Sequence, residues 1–245
     1  MNSSKVDKLP KLFVAFDFDD ESAIFDMLHK TQLPANIGIK LNLDLILKDV
    51  NCIHRIKTVT KLPIFADLKI WNGKRTMVNV IREIARQGAD VINVHALAGE
   101  LLGKTMREVS DLNVKVVAVT ILTHYDDKYC REHFGTTMSE EVSLLTEEAV
   151  LQGCHGVVLA GTCLEAIKEV NCLKIVPAIR PEWFEDKNTN LQKSIVTPKQ
   201  AFDAGATSIV VGSPIWKSEN PSIAIQMILD EIERKIPEWN GQGLA

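Results

Sequence analysis

The sequence contains no CxxC pair, and its five cysteines (Cys52, Cys130, Cys154, Cys163, Cys172) are odd in number and spaced unlike any zinc site. They are expected to be small buried thiols of a reduced, cytoplasmic protein. There is no run of about 18 apolar residues, so no membrane-spanning segment is expected. The opening MNSSKVDKLPK lacks the apolar stretch of a signal peptide. Basic residues are not in excess. The 28 lysines and arginines are outnumbered by 32 aspartates and glutamates, and a net charge of −4 argues against a mainly electrostatic nucleic-acid binder. It leaves room for a local basic pocket that holds a small anion. No Pro/Gly/Ser-rich linker divides the 245 residues, so a single domain over 1–245 is the simplest organisation. Asp and His form no metal-ligand constellation, and no metal is expected.

What the chain does contain is one rhythm, repeated: a short β-branched run, a loop, then an amphipathic stretch. The strand candidates are LFVAFDF (12–18), NIGIKLN (36–42), PIFADLKI (63–70), DVINVHA (90–96), KVVAVTIL (115–122), GVVLA (156–160), KIVPAI (174–179) and SIVVGSPI (208–215). In TMVNVIREIARQGAD, Val80, Ile84 and Gln87 follow a helical spacing, and TPKQAFDAGAT reads as a short helix closed by Gly205. Near-continuous apolar strands alternating with helices imply parallel βαβ units covered on both faces. Eight units in this length suit an α/β fold of the (β/α)8 TIM-barrel type, with a doubly wound open sheet as the competitor.

In a barrel, structural charges should scatter over helix faces, whereas functional ones gather at strand C-termini. Asp17, Lys40, Asp67, Lys69 and His95 fall at the ends of the first four strands. Thr123, Arg180, Gly212 and Ser213 fall at the ends of the fifth, seventh and eighth. Asp67 and Lys69 share strand parity and so point to one side, and Lys40 on the neighbouring strand extends them to a Lys–Asp–Lys array. A salt-bridged barrel core is the bland alternative. His95 fits either a ligand contact or a hydrogen-bonded barrel wall. His124, Tyr125, Asp126 and Asp127 fit a solvated loop and helix start.

Over nearly its full length the chain resembles the orotidine 5′-phosphate decarboxylase family. VAFDFDD resembles that family's opening strand with its substrate-binding aspartate, here Asp17. IGIKLN resembles the strand of its first active-site lysine, here Lys40, and FADLKIWNGKRT its DxKxxD signature. VTILT carries Thr123, VPAIRP carries Arg180, and LQKSIVTPKQAFDAGATSIVVGSPI carries Gln192, Gly212 and Ser213 at the phosphate-binding end. The resemblance implies cofactor-free decarboxylation of orotidine 5′-monophosphate to UMP. It assigns Asp67 to crowd the substrate carboxylate, Lys69 to protonate the pyrimidine carbon, and Lys40 to hold the charge array and ribose hydroxyls. It also implies a homodimer with shared active sites, to which Asn72 contributes across the interface, and makes Thr76 a substrate-binding position. The implied ligands are orotidine 5′-monophosphate or UMP, with no nucleic acid and no membrane as partner.

Three positions depart from that pattern. The last aspartate of DxKxxD is Asn72, which cannot neutralise a lysine and leaves Lys40 and Lys69 to share Asp67. The usual phosphate arginine is Ser213, one hydroxyl in place of a bidentate guanidinium. A glycine site is occupied by Ala178, where backbone approach matters. Lys74, Arg75 and Lys217 are the nearby candidates to replace lost positive charge. Two alternatives follow from the departures: a decarboxylase or lyase for another phosphorylated substrate of the sugar-phosphate type, and a non-catalytic nucleotide-binding homologue.

Overall fold

The computed structural model of the protein describes residues 9–184 and 195–233. Eight parallel strands run in chain order around a closed ring: β1 Leu12–Phe16, β2 Gly38–Asn42, β3 Ile64–Ile70, β4 Val91–His95, β5 Lys115–Val119, β6 Gly156–Val158, β7 Leu173–Val176 and β8 Ser208–Val211. β8 pairs with β1, Leu12 lying opposite Ile209, so the sheet has no free edge and the open-sheet alternative is excluded. Helices follow the strands on the outside, giving the (β/α)8 TIM barrel.

Strand parity explains both the core and the mouth. Inward-facing Phe13, Ala15, Phe65, Val117, Ile175 and Val210 belong to one buried cluster inside the barrel. Outward-facing Val14, Ile39, Ala66, Ile92 and Ala118 join a larger one beneath the helices. Continuing each inward column towards the strand C-terminus reaches Asp17 after Ala15, Lys40 after Gly38, Asp67 after Phe65, and Asn93 then His95 after Val91. Near the floor, Phe13 meets Phe65 edge-on with ring centroids 5.6 Å apart. Its Cα partner on β2 is Gly38, where an added Cβ would lie 2.4 Å from the Phe13 ring. Across the seam between β8 and β1, the Trp216 indole donates to Ala15 O at 2.6 Å and packs edge-on against Phe16.

Several strands end earlier than the sequence suggests: β1 at Phe16, β5 at Val119 and β8 at Val211. Pro214 explains the last. It has no N–H to continue a ladder, and Ser213–Trp216 instead forms a helical turn with the proline in its first positions. The helix Lys74–Arg86 buries Met77, Val78, Ile81 and Ile84; of the expected positions Ile84 and the following Gln87 are buried, while Val80 is only half-buried. The helix Pro198–Asp203 has the Thr197/Gln200 capping box and is followed by Gly205 at φ 98°. Among the described residues no helix is long and apolar enough to cross a membrane.

Candidate active site

A cavity of about 250 Å3 opens at the C-terminal ends of the strands. Asp17, Lys40, Asp67 and Lys69 line it from the first three strands and their ends. Lys40 Nζ donates to Asp17 Oδ1 at 2.5 Å and lies 3.5 Å from Asp67 Oδ2, while Lys69 Nζ donates to Asp67 Oδ1 at 2.7 Å. The array is therefore Asp17–Lys40–Asp67–Lys69, two cations against two carboxylates. The two lysines share Asp67 as expected, and Asp17 adds a second carboxylate on Lys40 because its strand pairs directly with that of Lys40. Burial is the largest influence on the Asp67 carboxyl and pushes its pKa up. The charges of Lys40 and Lys69, with hydrogen bonds from Lys69 and Asn93, outweigh burial and hold it below the usual carboxylate range. Asp67 is a half-buried acceptor whose surroundings favour its charged form.

The array depends on an irregularity in β3. Against β4, Ala66 pairs with Ile92 but Ile70 pairs with Val94, so the register shifts between them. Lys69 adopts φ 48° there. Successive N–H groups of a regular strand point to opposite neighbours. Here those of Leu68 and Lys69 converge on one oxygen, Asn93 Oδ1, both at 2.7 Å. The same amide donates through Nδ2 to Asp67 Oδ1 at 2.6 Å, and Asn93 is fully buried. The sequence reading passed over Asn93. Its signal is present: a polar residue at an inward-facing position of VINVHA.

Thr123, Arg180, Gly212 and Ser213 line the same cavity from the loops after β5, β7 and β8. Arg180 donates to Ile179 O at 3.0 Å and lies over the Phe184 ring. Ala178 also lines the cavity and holds φ 62°, a left-handed conformation that a glycine adopts without strain. Gln192 lies outside the described residues. His124, expected only in a solvated loop, is exposed but lines the cavity, and Asp126 caps the following helix through Tyr129 N at 3.0 Å.

Asn72 and Thr76 do not line this cavity. Asn72 is exposed, its side-chain oxygen accepting from Gly73 N at 2.8 Å, and Thr76 sits in the first turn of the helix Lys74–Arg86. Lys74, Arg75 and Lys217 are not at the cavity either, and Lys74 is paired with Glu108. His95 stacks on Trp71 with centroids 5.7 Å apart, and its Nδ1 accepts from Leu97 N, which leaves the proton of the neutral ring on Nε2. Burial, then the Lys69 charge, lowers its pKa. Among the described residues no group of three or more His, Cys, Asp or Glu side chains is placed to hold a metal ion.

Comparison with known proteins places this geometry in a family. The chain is 31% identical over 234 residues to an orotidine 5′-phosphate decarboxylase of Maridesulfovibrio salexigens, covering 91% of this chain and 99% of that protein. It is 32% identical over 232 residues to one of Campylobacter jejuni, covering 92% and 82% respectively. The crystal structure of an orotidine 5′-phosphate decarboxylase from Lactobacillus acidophilus superposes with a TM-score of 0.78 at 26% identity, over 92% of this chain and all of that one. A family model, "Orotidine 5'-phosphate decarboxylase / HUMPS family", matches residues 10–228. The chain belongs to the orotidine 5′-phosphate decarboxylase / HUMPS family.

Proposed function

We propose that the cavity binds orotidine 5′-monophosphate and releases UMP and carbon dioxide without a cofactor, in a cytoplasmic homodimer whose partner subunit completes each site through Asn72 and Thr76. The observation that carries this reading is the charged array at the barrel mouth, with Lys69 Nζ 2.7 Å from a half-buried Asp67 whose pKa its cationic neighbours hold down. An anionic Asp67 next to the substrate carboxylate favours loss of that charge as carbon dioxide. As the carbon–carbon bond breaks, its electron pair stays on the pyrimidine carbon and Lys69 supplies the proton. Water then reprotonates the lysine. Lys40 and Asp17 hold the array and face the ribose hydroxyls. Arg180, Gln192, Gly212 and Ser213 take the phosphate, whose binding energy positions the base.

Ser213 and Asn72 favour a second reading, a different phosphorylated substrate on the same barrel, with nucleotide binding without turnover as a third. One fewer charge-assisted bond to phosphate corresponds to roughly 1.5–3 kcal/mol, or about ten- to a hundredfold in affinity. Spectrophotometric loss of orotidylate, measured alongside UMP binding, separates the three. Turnover supports the first reading, neither activity supports the second, and UMP binding alone supports the third. Ser213→Arg is expected to tighten UMP binding and Asn72→Asp to raise turnover. A double variant that binds UMP well yet turns over no orotidylate sinks the first reading.

A further inference from the structure

We infer that Asn93 is the positioning residue of the charged array: its amide clamps the β3 irregularity and so sets where Lys69 and Asp67 stand. The inference rests on the decarboxylase reading only for its kinetic consequence. Its basis is geometric. Asn93 is fully buried inside the barrel at an inward position of β4, and every hydrogen bond of its side chain goes to the segment Asp67–Lys69. Two successive N–H groups converging on one acceptor make a concave nest that favours a negative oxygen, and Asn93 Oδ1 fills it. With the oxygen held there, Nδ2 is left to face Asp67. The amide orientation is thus determined by its partners at both ends.

The left-handed backbone at Lys69 is costly for a residue with a side chain and persists only where surrounding contacts over-determine it. The two bonds to Asn93 are contacts of that kind. They turn the chain so that Lys69 Nζ reaches back to Asp67 Oδ1, the oxygen that Asn93 Nδ2 also contacts. Asn93 itself is not among the residues that line the cavity. It acts through Asp67 and Lys69.

The two halves of the amide can be tested separately. Asn93→Ala removes both, while Asn93→Asp keeps an oxygen for the nest and loses the donor to Asp67. In Asn93→Asp two carboxyls stand at hydrogen-bond distance, facing Lys40 from β2, Lys69 from β3, Asp17 from β1 through Lys40, and His95 from β4. Such a pair shares a proton at low pH, when the protonated Asp replaces the amide donor, and repels once both are ionised. Asn93→Ala is expected to lower kcat on the order of a hundredfold with much less change in UMP affinity, as a misplaced reacting group does. Asn93→Asp should regain turnover on the acid side and lose it as pH rises, where the wild type does not.

A readout independent of substrate is the Asp67 carboxyl titration, followed by 13C NMR and assigned with Asp67→Asn. It should move up in Asn93→Ala. If orotidylate is not the substrate, this titration still decides the matter, so failure of the two readings can be told apart. A folded Asn93→Ala protein with unchanged Asp67 titration overturns the proposal, as does an Asn93→Asp protein whose turnover or Asp67 titration matches wild type at every pH. Should Asn93→Ala not fold, Asn93→Asp carries the test alone.

Discussion

At Ala178 a methyl group sits on a backbone with φ 62°, at the rim of the cavity. Glycine there removes about 1–2 kcal/mol of left-handed strain. The greater freedom of the unfolded chain takes back about 0.4–1 kcal/mol, for a net gain on the order of 0.5–1 kcal/mol. Ala178→Gly should therefore raise the urea midpoint with the slope unchanged, and a lower midpoint would show that the alanine is not strained. Lys69 has a comparable conformation at φ 48°, but there the side chain belongs to the array, so the strain accompanies a proposed function and is not a simple target for relief. Lys40, Asp67 and Lys69 were legible in the sequence because charged residues in apolar strands are conspicuous and strand parity says which side they face. Asn93 shares that inward parity but stands out less, since a neutral amide in an apolar strand is less conspicuous than a charge until its partners are known. Asp17 as the second partner of Lys40 was equally within reach, since β1 and β2 are consecutive strands and the two residues lie only 23 apart; it was passed over because Asp17 stands just past the end of its strand, where parity no longer says which way a side chain points.

Among the elements, β1 and β2 are fitted to each other by one missing side chain. The Phe13 ring occupies the space that a Cβ on Gly38 would need, with Pro10 also within 2.9 Å of that point. Gly38→Ala should cost about 1–3 kcal/mol through overpacking, read as a fall in thermal midpoint. Combining it with Phe13→Leu should recover part of the loss, and simple additivity of the two changes would mean they do not compete for the same space. The succession of strands was plain from sequence because apolar runs bounded by loops recur throughout. Their ends were not. SIVVGSPI looks extended, yet only Ser208–Val211 pairs, because Pro214 and the turn it starts divert the chain. The irregularity of β3 was equally hidden: strict parity places Asp67 and Lys69 on one side, while in the structure a register shift and a buried amide bring them together.

For the molecule as a whole, the charged array at the barrel mouth ties stability to pH. The folded pKa of Asp67 lies below its unfolded value, so its contribution is fully present above the unfolded carboxylate pKa of about 3.9 and is lost as pH falls through the folded value. His95 adds the same sign in a higher window: its lowered pKa means that the unfolded chain takes up a proton below about 6.5 that the folded ring resists. Stability measured by urea unfolding should thus decline from neutral pH downward in two stages. Asp67→Asn should reduce the lower stage, which it shares with Glu140, and His95→Gln the upper one, to which His155, lowered mainly by burial, adds the same sign. A wild-type curve that is level between pH 7 and 3 would remove the basis for both.

The seam where Leu12–Phe16 meets Ser208–Val211, sealed by the Trp216 indole on Ala15 O, has a consequence for synthesis. A ribosome delivers β1 first and its second neighbour near the end of the chain. Until then β1 and the most recently made strand are two open edges of one growing sheet. Completion of the polypeptide, and no local turn, is the event that closes the ring. A chain released before Ser208 has no partner for the outer edges of β1 and β7, and those edges are free to pair with whatever other chain is near.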